Sequence, residues 1–293
     1  MFNKFKKNIY SQNGEDGIIE EILSRLKSKL DYTCCEFGAW DGIIFSNTYN
    51  LIKNKNYSAL LIESNLKKFN ELCNNIPDTK IIKLNKLINF DGANSLDNIL
   101  ENNGIKNQFD FLSIDIDGCD YYIFENLNKF KPKLICIEFN PTIPNDVEFV
   151  QKKNLKIKQG SSALSLINLS KKKNYTAVAA THCNLFFINN EFKEDIIGKN
   201  ELSINSLVDD HKYKNYIFFG FDGTIHTSKD IILPWHLNLK KKKIKILPFF
   251  LNKFFGDYNF IEKLLLYLFI FFYNPKKYLT NPKHYLNLLF KKK

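Results

Sequence analysis

The chain has 293 residues, of which 44% are hydrophobic and 25% are charged, so it is long enough to bury one substantial core. Its formal net charge of +11 is concentrated at one end. Residues 234–293 hold thirteen Lys against Asp257 and Glu262, which leaves the rest of the chain neutral. A neutral main region argues against nucleic-acid binding and predicts a separate role for the C-terminal tail.

The six cysteines are scattered, without the spacing of a metal-binding cluster, and most lie in apolar, strand-like runs. The first nine residues are basic and apolar, too short and too charged for an export signal. We therefore expect a cytoplasmic protein with free thiols. Cys34 and Cys35 would point to opposite faces of a strand, which argues against a redox pair.

Apolar runs alternate with helical patterns over the first half of the chain. Helical spacing predicts helices at 17–30, 47–55, 66–73, 95–102 and 121–126. Continuous apolar runs predict buried strands at 34–37, 57–63, 80–84, 109–117 and 134–139. Strands of this kind that alternate with helices indicate an α/β fold with a parallel sheet covered on both faces.

The pattern changes after the fifth predicted strand. An irregular stretch at 141–162, rich in Pro, Asn and Lys, has the length of a functional loop or a lid. A helix at 163–170 then precedes two strands at 175–180 and 185–188, which a tight turn would join as an antiparallel hairpin. A further short strand is predicted at 217–221.

Acidic residues follow several of the predicted strands. They are Glu36, Glu63, Asp115, Asp117 and Glu138. Open parallel sheets bind ligands at the carboxyl ends of their strands, so these side chains should meet at one edge. They would repel one another there unless they faced a cationic or hydroxyl-rich ligand, or a metal ion.

The turn at 36–42, with the pattern E-x-G-x-x-x-G, distinguishes between nucleotide cofactors. A dinucleotide fingerprint needs G-x-G-x-x-G so that a pyrophosphate can rest on a helix N-terminus. Here Trp40 stands inside the turn and Glu36 precedes the first glycine. An acid suits a sulfonium or an amino group better than a pyrophosphate. Glu63 follows Gly42 by 21 residues and suits the ribose hydroxyls of either cofactor class.

Four segments together resemble the FkbM-like branch of class I S-adenosylmethionine-dependent methyltransferases. They are Y-S-Q-N-G-E-D-G at 10–17, E-F-G-A-W-D-G at 36–42, L-S-I-D-I-D-G at 112–118 and I-E-F-N-P at 137–141. The resemblance implies a Rossmann-like three-layer sandwich with a seven-stranded, mostly parallel sheet that ends in an antiparallel hairpin. On this reading residues 1–233 form the methyltransferase-like domain, and 234–293 form a basic, aromatic, helical extension.

The resemblance also implies the reaction and the donor site. The reaction would transfer a methyl group from S-adenosyl-L-methionine to a hydroxyl of a sugar or glycan-type acceptor. The residues that would line the methionine part of the donor are Glu36, Gly38 and Ala39, with Gln12 and Gly14 folding over it as a lid. Glu63 would bind the ribose, Ser64 and residues 89–92 would lie near the adenine, and Asp115 would lie near the transferring methyl group.

Methyl transfer to oxygen needs an in-line approach and a group that removes the proton of the acceptor. Asp115, Asp117 and Asp120 are candidates for that base or for the ligands of a divalent ion such as Mg²⁺, and Glu138 is a further candidate ligand. His182 is the alternative base because imidazole titrates near neutral pH. A histidine in a turn can equally be an exposed residue that caps a strand.

Fifteen aromatic residues lie among the lysines of the tail at 234–293. Its most apolar segment, 260–273, is too short and too interrupted by charge to span a bilayer. An apolar helix with basic flanks suits an anionic membrane surface, such as the inner face of the cell membrane. A cap on the sheet or a homodimer interface is the alternative.

Other functions are compatible with the same sequence. The acceptor could be a lipid or a small metabolite, and a catalytically silent chain of the same fold could bind a nucleotide or a glycan. An NAD-dependent oxidoreductase is disfavoured by the acid that leads the first turn.

Overall fold

The computed structural model describes residues 2–273 and 275. The chain divides into two compact units, Met1–Lys214 and Asn215–Lys293. The helices of the first unit are α1 (Glu15–Arg25), α2 (Tyr49–Lys55), α3 (Leu66–Asn75), α4 (Leu96–Asn102), α5 (Asp120–Asn126), α6 (Ala163–Lys172), α7 (Lys193–Ile197) and α8 (Ile204–Leu207). Its strands are β1 (Thr33–Phe37), β2 (Ser58–Glu63), β3 (Ile82–Asn85), β4 (Phe111–Ile114), β5 (Leu134–Glu138), β6 (Tyr175–Ala180) and β7 (Asn184–Asn189).

These seven strands form one sheet in the order β3-β2-β1-β4-β5-β7-β6. The first five strands are parallel, and β7 runs antiparallel to both β5 and β6. The predicted α/β fold class is therefore confirmed, including the closing hairpin. The strand order switches direction between β1 and β4, and sheets of this kind bind ligands at the carboxyl ends of the strands beside such a switch point.

The sheet separates two apolar cores, as the strand patterns predict. Cys35 of β1 packs with Leu112 and Ile137 in one core, whereas its neighbour Cys34 packs with Phe111 and Cys136 in the other. Residues that are adjacent in a strand point to opposite faces, so a strand with apolar residues at every position must be covered twice. All six cysteines are free thiols, as predicted.

A buried ion pair lies where β4 and β5 begin. The Lys133 ammonium is 2.5 Å from the Asp110 carboxylate, and both side chains are almost inaccessible to solvent. The same carboxylate accepts hydrogen bonds from the backbone N–H groups of Asp31 and Tyr32, just before β1. Asp110 therefore joins the starts of the three central strands, which aligns their carboxyl ends at the opposite edge.

The second unit contains a small antiparallel sheet followed by a helix. Its elements are β8 (Ile217–Phe219), β9 (Thr224–Leu233), β10 (Leu239–Lys245) and α9 (Phe260–Tyr273), and the strand order is β10-β9-β8. The predicted strand at 217–221 is present in shorter form. The boundary predicted at Pro234 falls in the turn between β9 and β10, so the second unit starts earlier than that position.

The tail predicted to be helical is only partly helical. β10 has the sequence L-K-K-K-K-I-K and forms a strand because it pairs with β9, a contact between distant residues that its own composition does not signal. Residues 274 and 276–293 of the predicted extension lie outside the described part of the chain. Among the described residues, no helix combines the length and the apolar composition needed to cross a bilayer.

Candidate active site

The turns that follow β1 and β4 touch each other. Gly38 adopts a left-handed conformation with φ of 75°, and a Cβ on it would lie 1.8 Å from the carbonyl oxygen of Asp115. The N–H of Asp115 donates to the carbonyl of Phe37, and the N–H groups of Gly38 and Ala39 donate to the carbonyl of Ile62 in β2. Residue 38 therefore has to be glycine. The hydrogen bonds of this turn connect the ends of β1, β2 and β4.

Glu36 is buried and already has protein partners. Its carboxylate accepts hydrogen bonds from the hydroxyls of Ser46 and Thr48, both at 2.6 Å, and from the N–H of Asn47 at 2.7 Å. Burial raises the pKa of Glu36, and these hydrogen bonds oppose that rise. The observed role of Glu36 is to hold the loop before α2 against the end of β1. Its predicted contact with the methionine part of a donor stays a prediction.

Glu63 lies at the end of β2 and is also buried. One carboxylate oxygen accepts the N–H of Trp40 at 2.9 Å, and the other accepts the N–H of Asn65 at 2.6 Å. Each of these oxygens keeps a further lone pair for a ligand hydroxyl. Ser64 is exposed beside it, and the loop at 89–92 follows β3. The assignment of Glu63 to the ribose, and of Ser64 and residues 89–92 to the adenine, stays a prediction.

The turn after β4 is shaped by Asp120, the first residue of α5. Its two carboxylate oxygens accept the N–H groups of Ile116 and Gly118, both at 2.9 Å. Burial raises the pKa of Asp120 to about 6. Asp117, at the tip of the turn, has a left-handed backbone and is 82% exposed at its side chain. Asp120 therefore presents Asp117 to solvent.

The structure brings together the three acids predicted as metal ligands. One oxygen each from Asp115, Asp117 and Glu138 can be chosen so that all three lie within 4.8 Å of one another. Burial, followed by repulsion from Asp120, raises the pKa of Asp115 to about 8. Burial and then the charge of Asp115 raise the pKa of Glu138 to about 10. The group therefore favours protons or a cation at neutral pH.

The trio offers the kind of ligand that a small divalent ion takes. Three carboxylates with one oxygen each within 4.8 Å of the others supply hard oxygen ligands, which Mg²⁺ binds at about 2.0–2.1 Å. The Lys158 ammonium, 3.7 Å from the carboxylate of Asp117, supplies part of the positive charge in the structure as described. Asp115, Asp117 and Glu138 are the residues that would hold such an ion, and its presence stays a prediction.

The loop at 141–162 packs against the turn after β4. Gln151 is buried, and its side chain donates to the Cys119 sulfur and to the carbonyl of Ile157. A Cβ on Gly118 would lie 2.8 Å from the Gln151 side-chain oxygen, so glycine is needed for this approach. The Lys158 ammonium donates to the carbonyl of Ile116 at 2.8 Å. The stretch predicted as a functional loop therefore borders the acidic trio.

His182 lies in the turn between β6 and β7 and is exposed. Partial desolvation, followed by the charges of Lys212 and Lys6, lowers its pKa, so the imidazole is neutral at pH 7 and able to accept a proton. The next residue, Cys183, accepts the N–H of Phe139 at 2.7 Å through its carbonyl oxygen. This contact places the His182 turn beside the end of β5, where Glu138 lies.

The N-terminal loop predicted as a lid is fastened to the start of α1. One carboxylate oxygen of Asp16 accepts the N–H groups of Ile9, Tyr10 and Ser11 at 2.7–2.8 Å. Within this loop the Gln12 side chain is exposed, whereas Gly14 is buried with φ of 99°. The loop is thus held in place by Asp16, and its closure over a donor stays a prediction.

Glu15 connects the same loop to the β6–β7 turn. Its carboxylate accepts hydrogen bonds from the Asn13 N–H, the Thr181 hydroxyl and the Asn184 side-chain amide. Sequence reasoning missed this residue, together with Gln151. Acids in the first turn of a helix are usually assigned to its dipole, and the sequence contains no signal of a partner that lies more than 160 residues away.

Comparison with known protein families supports the interpretation of the chain as a methyltransferase. Residues 92–175 match the family model of the methyltransferase FkbM domain, which confirms the predicted resemblance. This segment contains the acidic trio, Asp115, Asp117 and Glu138, but not Glu36 or Glu63. A search of the curated proteins returns no match.

Three solved structures are similar to the chain at low scores. The N-terminal domain of EvdMO1, in the presence of SAH and D-fucose, is 8% identical over 60% of this chain and 82% of its own, with a TM-score of 0.39. The N-methyltransferase NodS from Bradyrhizobium japonicum WM9 is 13% identical over 58% of this chain and 93% of its own, with a TM-score of 0.37. An S-adenosylmethionine-dependent methyltransferase from Clostridium acetobutylicum ATCC 824 is 10% identical over 59% of this chain and 89% of its own, also with a TM-score of 0.37. The strand order, rather than these scores, identifies the fold.

Proposed function

We propose that the chain is a S-adenosylmethionine-dependent O-methyltransferase that acts on a hydroxyl of a sugar or glycan-type acceptor. The observation that carries the proposal is the contact between Gly38 and Asp115 at the switch point of the sheet. The contact brings the glycine turn at the end of β1 next to the cluster of acids after β4 and β5. The sheet around it has the strand order of a methyltransferase. The match of residues 92–175 to the FkbM domain supports the same reaction class.

The chemistry needs few protein groups. S-adenosylmethionine supplies an electrophilic methyl group on a sulfonium, so the protein must orient the acceptor and take up its hydroxyl proton. Asp115 is the first candidate for the base, because it lies at the switch point and its pKa of about 8 is close to physiological pH. His182 is the second candidate. A hydroxyl-rich acceptor suits the acids at this edge, because carboxylates accept hydrogen bonds from sugar hydroxyls.

A divalent ion could act at the same place. If Asp115, Asp117 and Glu138 hold Mg²⁺, the positions left open on the ion would take acceptor oxygens and lower the pKa of the reacting hydroxyl. The loop at 141–162 would then contribute to acceptor choice, since Lys158 contacts both Asp117 and the turn that carries it.

Calorimetric titration with S-adenosylhomocysteine and with NAD tests the donor. We expect saturable binding of S-adenosylhomocysteine and none of NAD, and the reverse result would overturn the proposal. Transfer of labelled methyl from S-adenosylmethionine is then measured with sugar nucleotides and oligosaccharides in one arm and lipid extracts in the other. Labelling of lipid alone would replace the acceptor class. Donor binding without transfer to any acceptor would favour the catalytically silent alternative.

A further inference from the structure

The second unit leaves most of its apolar side chains in solvent. Of the large hydrophobic residues that are exposed in the described chain, twenty-one of twenty-nine lie at or beyond Tyr216. Among the residues of this unit that the structure describes, the buried hydrophobic ones are Leu251 and Tyr258. Soluble proteins rarely expose continuous apolar surface on this scale unless it binds something.

Helix α9 contributes much of this surface. Its sequence is F-I-E-K-L-L-L-Y-L-F-I-F-F-Y, and none of its fourteen residues is buried. Leu264 and Leu268 are one turn apart and both are exposed, and Phe272 continues the same row at 77% exposure. At 1.5 Å per residue the described helix, Phe260–Tyr273, is about 21 Å long, shorter than the ~30 Å apolar thickness of a bilayer. A helix of these dimensions can lie along a bilayer surface.

The same unit carries a cluster of exposed positive charge, spread over both faces of one edge strand. The four consecutive lysines at 240–243, together with Lys245, are exposed on β10. Because β10 is the edge strand of its sheet, lysines there also discourage pairing with other strands. Edge protection accounts for the lysines but leaves the exposed aromatic and aliphatic residues unexplained. The binding partner must therefore account for the exposed lysines and for the exposed apolar side chains together.

We propose that the second unit binds the surface of an anionic lipid bilayer, with apolar side chains of α9 inserted at the headgroup boundary and the lysines of β10 on the lipid phosphates. Lysine is depleted in protein–protein interfaces, whereas juxtamembrane lysines are attracted to anionic lipids. A second copy of the chain is a poorer occupant, because a symmetric contact would bring the lysine-rich strands together. Trp235 and the aromatic residues of α9 suit the interface between water and acyl chains.

Vesicle flotation with the full-length chain tests this proposal. The vesicles are phosphatidylcholine alone, or equal parts phosphatidylcholine and phosphatidylglycerol. We expect binding to the second kind only, decreasing as salt is raised. Absence of binding to the anionic vesicles, or equal binding to both kinds, would overturn the proposal.

Two variants separate the contributions of charge and apolar surface. The charge variant is Lys240→Gln, Lys241→Gln, Lys242→Gln and Lys243→Gln together, and we expect its partition onto anionic vesicles to fall about 100-fold or more. Its matched control replaces four exposed lysines of the first unit and should bind like the wild type. The control substitutions are Lys27→Gln, Lys80→Gln, Lys171→Gln and Lys199→Gln.

The apolar variant is Leu264→Gln with Leu268→Gln, since glutamine keeps the helix propensity. We expect partition onto anionic vesicles to fall at least about 10-fold, because two leucine side chains that would be buried in the lipid are lost. The control is Leu66→Gln with Leu87→Gln, which removes two leucines of the first unit that are more exposed than Leu264 and Leu268. Light scattering is run alongside. If the wild type is a dimer that the α9 variant converts to monomer without any change in lipid binding, a second copy covers the helix and the proposal fails.

Discussion

The Cβ that Gly38 lacks would lie 1.8 Å from the carbonyl oxygen of Asp115, which couples the first turn of the sheet to the acidic turn after β4. We expect Gly38→Ala to force these turns apart and to weaken S-adenosylhomocysteine binding at least about 10-fold, since left-handed strain adds about 1–2 kcal/mol to the clash. Calorimetry measures the affinity and thermal unfolding measures the stability. Gly104→Ala is the control, because Gly104 has φ of 67° but open space around its Cβ position. Equal effects of the two substitutions would show that only backbone strain matters.

Glu63 is the second position where donor binding can be tested. Glu63→Gln keeps an acceptor for one neighbouring N–H but removes the charge that a ribose hydroxyl would meet, and charged hydrogen bonds contribute about 1.5–3 kcal/mol. We therefore expect the affinity for S-adenosylhomocysteine to fall about 10- to 100-fold. Glu101→Gln, at an exposed carboxylate paired with Lys129, should leave it unchanged. Full binding by the Glu63 variant would remove this residue from the ribose site.

The base assignment predicts different kinetics for two variants. Asp115→Asn should lower kcat for methyl transfer about 10²- to 10⁴-fold while donor affinity changes little, as expected for loss of a general base. His182→Ala should have a smaller effect. Single-turnover transfer at saturating donor separates the chemical step from binding. The opposite order of the two effects would assign proton removal to His182.

The acidic trio predicts dependence on a divalent cation. EDTA treatment should abolish methyl transfer and added Mg²⁺ should restore it, with Asp117→Asn shifting the Mg²⁺ requirement to higher concentration. Glu125→Gln removes an exposed carboxylate of α5 and serves as the control. Activity that survives exhaustive chelation would remove the metal from the mechanism and leave the trio as a hydroxyl-binding site.

Asp31 predicts a pH-dependent change in stability outside the active site. Burial, followed by the charge of Asp110, raises the pKa of Asp31, and its carboxylate oxygens have no hydrogen-bond partner among the described residues. A raised pKa in the folded state means that ionised Asp31 opposes folding above that pKa, and the cost disappears as pH falls through the unfolded value of about 3.9. Asp31→Asn should therefore raise the free energy of unfolding at pH 7, with a smaller gain near pH 4.

Urea unfolding at the two pH values measures this difference. Asp195→Asn is the control, because Asp195 forms an exposed ion pair with Lys29 that should contribute less than about 1 kcal/mol. A loss of stability for Asp31→Asn at pH 7 would mean that the ion pair between Asp31 and Lys106, at 3.8 Å, outweighs the repulsion.

The sequence by itself determined the first unit to a large extent. Periodicity predicted the seven strands and the helices from α1 to α6, because apolar patterns record which faces each element buries. The positions of Glu63, Asp115, Asp117 and Glu138 at strand ends followed from the same patterns, since parallel strands place their carboxyl ends at one edge. The short helices α7 and α8 have too few turns to show a period and were not predicted.

Only the tertiary structure decided which groups these side chains meet. Glu36 binds the loop at 46–48, Glu15 binds the turn around Thr181, and Gln151 supports the turn after β4. The strand β10 exists because β9 pairs with it, although four lysines in a row suggest a solvated run. Hydrogen-bond partners and strand pairs depend on how distant segments approach one another, and no local pattern of residues encodes that approach.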